Sequence, residues 1–141
     1  MRLVLDTVIV VRSLIKSHSL AAQILFDHWA AYDWIVSPEI VSEYQEVTVR
    51  PAITRKYVRL PNRDYDAFLA RLRTAVIVNP ESTPAICRDP GDDKFLAAAL
   101  AGGADYIVSE DLDLLSIGEY EGIGICDTRT MIDFFNSDDD R

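Results

Sequence analysis

Short β-branched and aliphatic runs recur along this chain, each separated from the next by residues with helical spacing. The runs are Arg2–Leu5, Trp34–Val36, Ala75–Val78, Tyr106–Val108 and Ile123–Cys126. Val8–Val11 carries the apolar character of the first run past Asp6. Leu20, Ile24, Leu25 and Trp29 share one helical face over 19–29. Ser37 is a good N-cap and Pro38 suits the first helical position, so a helix follows with Ile40, Tyr44 and Val47 on one face. Pro51 ends that helix and a second is expected from Thr54. A third, capped by Asn62, runs to Arg73 and buries Tyr65, Phe68, Leu69 and Leu72. Asp92–Leu100 reads as an Ala-rich helix closed by Gly102-Gly103, and Thr128–Phe135 as the last helix. Strands alternating with helices from end to end imply an α/β fold whose mostly parallel sheet is covered on both faces.

A chain of 141 residues holds one core, here assigned to residues 1–136, with an acidic, disordered tail over 137–141. No apolar run approaches the roughly 20 residues of a membrane span, and no basic-then-apolar leader precedes the first strand. Cys87 and Cys126 lack metal-ligand spacing and read as free thiols of a reducing, cytoplasmic protein. His18 and His28 are placed on the surface, outside helical ligand spacing.

The chemistry lies in the acids. Asp6 closes the first run; Glu43 lies in the helix after Pro38; Asp92 and Asp93 open the Ala-rich helix; Asp111 and Asp113 follow Tyr106–Val108. In an α/β sheet, strand ends and the helices after them meet along one edge, where ligands bind. Carboxylates gathered there repel one another unless a hard divalent cation sits among them. Each acid alone has a structural reading: turn residue for Asp6, solvated stripe with Glu39 and Glu46 for Glu43, helix first turn for Asp92 and Asp93. Their joint placement on separate elements favours a metal-dependent enzyme acting on phosphodiesters.

Charge is unevenly spread. The net charge of −9 argues against nucleic acid, yet Arg50 to Arg73 holds seven basic residues against two acids, and from Glu81 onward fifteen acids stand against four bases. A phosphate polymer is thus expected to lie on Arg50, Arg55, Lys56 and Arg59, then on Arg12 and Lys16.

Four blocks carry a resemblance: Leu3–Thr7, Ser37–Tyr44, Asp89–Ala99 and Gly103–Leu115. Together they resemble the PIN-domain family, and their wording is similar to the VapC-type toxin components of toxin–antitoxin pairs. The resemblance implies a three-layer fold with a central, mostly parallel sheet flanked by helices. It implies Mg²⁺- or Mn²⁺-dependent endoribonuclease chemistry on an RNA substrate, a cognate antitoxin protein as partner, and a homodimer. By position it assigns catalytic and metal roles to Asp6, Glu43, Asp93 and Asp111, with Asp113 as a further metal ligand. Thr7, Ser109, Asp89 and Asp92 would support them.

One position departs from the pattern. The family carries Asn or Ser two residues after the first Asp, and here Val8 stands there. Losing a side chain that orients a metal ligand typically costs about 10–100-fold in affinity or activity. The competing reading is therefore a catalytically weak or inactive PIN fold that binds RNA or protein. Val8 also excludes a haloacid-dehalogenase-like phosphatase, which needs a second Asp there. Asn79-Pro80 after the third run argues against a receiver domain.

Overall fold

Arg2–Leu5 forms β1 at the centre of the sheet in this computed structural model, which describes residues 1–57 and 63–139. The other strands are β2 (Asp33–Val36), β3 (Val76–Ile77), β4 (Tyr106–Val108), β5 (Glu119–Tyr120) and β6 (Ile123–Cys126). Their order is β3-β2-β1-β4-β6-β5, parallel throughout except for the β5–β6 pair. From β1 the chain steps one way through β2 and β3, then returns to lay β4 on the other side of β1. The gap between the carboxyl ends of β1 and β4 is thus the sheet's switch point, where an open α/β sheet leaves a crevice. Leu3, Val4, Leu5, Ile35, Val36, Ile107 and Val108 are fully buried there, as expected of central strands covered on both sides.

The flanking helices are α1 (Thr7–Ile15), α2 (Leu20–Ala22), α3 (Pro38–Thr48), α4 (Pro51–Tyr57), α5 (Arg63–Arg73), α6 (Asp93–Gly102), α7 (Leu112–Leu115) and α8 (Thr128–Asp139). Ser37 caps α3, its hydroxyl accepting the Ile40 N–H at 3.2 Å. Gly103 closes α6 in the left-handed region at φ 61°, and Gly102 lies against β2.

Several boundaries differ from expectation. Val8–Val11 does not extend β1 but forms the first turn of α1. Ile9, Val10, Ser13 and Leu14 are its buried stripe, so packing overrides the β preference of these branched side chains. Residues 19–29 do not make one helix. A π-helical turn, Gln23–Asp27, follows α2, and Trp29 opens a 3₁₀ turn, exposed, with the Arg71 guanidinium 4.1 Å from its ring. His28, placed on the surface by sequence, is half-buried and stacks on Phe135 with centroids 4.9 Å apart. α4 begins at Pro51 rather than Thr54, because proline suits a helix start as well as a stop. The expected Asn62 cap lies outside the described residues. β5 was not foreseen; two residues return on β6 through a turn with Glu121 at φ 49° and Gly122 at φ 84°. Ser137–Asp139, expected in a disordered tail, continue α8, since nothing after Phe135 breaks it. Among the described residues, no single helix is long and apolar enough to cross a membrane.

Candidate metal centre at the sheet switch point

Asp6 stands where β1 ends. Its N–H donates to the Val108 carbonyl at 3.0 Å, prolonging the β1–β4 ladder, and α1 starts at the next residue. Although Asp6 is the N-cap residue, its carboxylate makes no cap bond. Instead Oδ2 accepts the Ser109 hydroxyl at 2.7 Å, and Ser109 Oγ accepts the Asp111 N–H at 2.9 Å. Ser109 is fully buried one residue past β4. One hydroxyl therefore joins the two strand ends, holding the Asp6 carboxylate and the Asp111 backbone. Beneath them the buried Tyr44 hydroxyl donates to the Leu5 carbonyl. Burial pushes the Asp6 carboxyl above its ordinary range, against the Ser109 hydrogen bond, and the Asp111 charge pushes the same way as burial.

The third acid is Asp92. It ends a 3₁₀ turn, Pro90–Asp92, and faces a cleft of about 370 Å³ together with Asp6, Glu43 and Asp111. Burial, and then the charges of Asp111, Asp6 and Asp89, push its carboxyl up to about 7. Asp93, which the sequence placed in the site, turns elsewhere. Its Oδ1 accepts the N–H groups of Cys87 at 2.7 Å and Ile86 at 3.1 Å. Burial opposes ionisation there, but those donors outweigh it and hold the carboxyl below its usual range. Consecutive helical residues point about 100° apart, so only one of this Asp pair can face the cleft. Asp93 latches the preceding loop to α6.

Glu43 does not belong to a solvated stripe. Glu39 and Glu46 are exposed, whereas Glu43 is half-buried in the cleft wall. Its Oε1 lies 2.8 Å from Lys94 Nζ, and its Oε2 accepts the Thr7 hydroxyl. Lys94 is only 8% exposed and also donates to the Gly91 carbonyl. Sequence reasoning missed this lysine. The available signal was a single cation inside an otherwise apolar helix, which must find an anion when buried.

Other expected residues are peripheral. Asp113 is exposed and outside the cleft lining; its N–H donates to Asp111 Oδ1 at 2.9 Å, and its carboxylate lies 3.9 Å from Arg88. Asp89 caps the 3₁₀ turn, accepting the Gly91 N–H at 2.9 Å. Val8, 43% exposed, forms with Val11 and Val47 an apolar wall of the cleft, while the hydrogen bond that orients Asp6 comes from Ser109. Of the basic residues, Arg50 reaches the cleft, held by Glu46 at 2.7 Å. Arg55, donating to the Pro51 carbonyl, and Lys56 are exposed on α4; Arg12 is half-buried in the last turn of α1, and Lys16 is exposed at its end. Arg59 lies outside the described residues. Glu110, which sequence reasoning passed over, accepts the N–H of Thr128 at 3.0 Å and its hydroxyl, tying the β4 end to α8.

Among the described residues, no three or more His, Cys, Asp or Glu side chains close around a single point. The fit is to a cation that needs few protein ligands. Mg²⁺ and Mn²⁺ accept carboxylate oxygens, and Mg²⁺ usually retains several waters. Burial raises Asp92 most, and the repulsion from Asp111, Asp6 and Asp89 that adds to it is the part such an ion would relieve.

The PIN domain family profile matches residues 2–113. An uncharacterized protein of Methanocaldococcus jannaschii is 30% identical over 119 residues, covering 82% of this chain and 74% of that protein. The crystal structure of VapBC2 from Rickettsia felis, bound to a DNA fragment from their promoter, superposes with a TM-score of 0.56. The match covers 90% of this chain and 98% of the matched chain at 14% identity, a likeness of fold.

Proposed function

This chain belongs to the PIN-domain family, and from that premise we propose a divalent-metal-dependent endoribonuclease, the toxin of a cytoplasmic toxin–antitoxin pair. The observation that carries the reading is that Asp6, Asp92 and Asp111 line one cleft at the switch point. One or two of these carboxylates, with retained waters completing the shell, would hold Mg²⁺ or Mn²⁺. When bound, such an ion supplies charge neutralisation at the scissile phosphate and a more acidic water. The chain's own contribution is positioning. Ser109 keeps Asp6 and Asp111 in register, so neither has to reorganise as charge builds up. Arg50 at the rim offers a phosphate contact, and the Val8–Val11–Val47 wall offers apolar surface without base-reading groups. An RNA substrate, a cognate antitoxin and a homodimer belong to the same proposal.

The test is incubation of the purified protein with a mixed RNA pool in Mg²⁺, in Mn²⁺ and in EDTA, beside Asp92→Asn and Asp93→Asn. Metal-dependent cleavage lost in Asp92→Asn is the expected result. No cleavage by folded, partner-free protein would overturn the reading and leave Val8 as the mark of a PIN fold that binds without cutting.

A further inference from the structure

Lys94 is a buried cation within reach of the acidic cleft, and no step above uses it. Its Nζ lies 2.8 Å from Glu43 Oε1 and donates to the Gly91 carbonyl, one residue before Asp92. Thr7 engages the other Glu43 oxygen. Both oxygens of Glu43 are therefore taken by the protein's own donors. The four residues come from α1, α3, the 3₁₀ turn and α6, and the first three of these elements contribute residues to the cleft lining. We propose that Lys94 is a positioning residue, an internal counter-cation that ties Glu43 to the Asp92 turn, so that Glu43 serves the centre as a strut rather than as a metal ligand.

The inference rests on the metal-centre reading and deepens it by separating the acids that hold the ion from the one that does not. A buried pair left with one partner keeps an uncompensated charge, whereas removing both partners leaves none. This difference makes the idea testable without RNA. Mn²⁺ affinity and metal-free melting temperature would be measured for wild type, Lys94→Met, Glu43→Gln and the double variant. Lys94→Met is expected to lower the melting temperature and, by freeing a fourth carboxylate, to tighten Mn²⁺ binding. Glu43→Gln should leave Mn²⁺ affinity nearly unchanged, and the double variant should return both readings toward wild type. A merely structural lysine would not tighten metal binding.

Loss of about tenfold or more in Mn²⁺ affinity on Glu43→Gln would overturn the proposal, because Glu43 would then act as a ligand. So would a Lys94→Met protein that melts and binds Mn²⁺ like wild type. If Lys94→Met does not fold, recovery of folding in the double variant supports the pair, and failure of the double variant to recover overturns it. If wild type binds no Mn²⁺, the metal-centre reading fails, and with it the claim that Glu43 is the acid spared from the ion. In that case the melting cycle decides whether the strut stands.

Discussion

At Asp92 one partly buried carboxylate feels the charge of three others. Its carboxyl is raised from 3.8 to about 7 by burial and by Asp111, Asp6 and Asp89. The native state thus holds a proton that the unfolded chain releases earlier. This contribution to stability is intact below about pH 4 and lost as pH rises through about 7. Asp92→Asn removes the loss. In EDTA at pH 8 the variant should melt above wild type, by up to about 1 kcal/mol once solvent screening is allowed for, while near pH 4 the difference shrinks. The same variant should lose more than about 100-fold in cleavage, beyond what a residue that only supports a metal ligand costs. Asp93→Asn should reverse the pattern, destabilising the fold by about 1 kcal/mol, because a neutral amide oxygen accepts the Ile86 and Cys87 N–H groups without charge assistance. Paired melting curves and cleavage assays decide both. Burial, hydrogen bonding to Asp93 and nearby acids also push the Cys87 thiol up to about 12, and burial does the same at Cys126. Alkylation by iodoacetamide at pH 8 should be slow at both until urea unfolds the chain.

Elements set how firmly the cleft is held. α6 lies so close to β2 that a Cβ on Gly102 would meet Ile35 Cγ2 at 2.6 Å. Gly102→Ala should therefore cost about 1–3 kcal/mol, through overpacking rather than backbone strain. Because α6 follows directly on Asp92, its displacement should also weaken metal binding. Circular dichroism melts with and without Mn²⁺ separate the two effects. Most elements were legible in the sequence. Ser37-Pro38 marked a helix start through capping chemistry, and Gly102-Gly103 marked an end because only glycine enters the left-handed region cheaply. The first turn of α1 was not legible, since Val8-Ile9-Val10-Val11 suits a strand as well as a helix until the core selects Ile9 and Val10. β5 is two residues long and exists only because β6 offers it an edge.

Over the whole molecule, charge and fold pull in different directions. Seven basic residues between Arg50 and Arg73 suggest a long cationic track, but Arg71 is packed over Trp29 and Arg55 donates to the Pro51 carbonyl. RNA affinity should fall with salt at a slope equivalent to fewer than seven phosphates. Arg50→Ala should reduce that slope by about one, with little change in base preference. Filter binding from low to moderate salt measures it, and a flat response would remove the backbone-contact assignment. Mg²⁺ at 100 times its Kd should stabilise the fold by about 2.7 kcal/mol, provided the unfolded chain does not bind it.

The alternation of strands and helices, the caps and the placing of acids after strand ends are properties of neighbouring residues, so the amino-acid sequence alone determined them. The working geometry belongs to contacts between distant ones. Ser109 reaches Asp6 across 103 positions and Thr7 reaches Glu43 across 36. Which of Asp92 and Asp93 faces the cleft depends on how the turn before α6 docks, and whether Glu43 meets solvent or Lys94 depends on how α3 meets α6. Side-chain direction at a helix start is set by the packing of the segment before it. That packing exists only once β1 and β4 lie side by side.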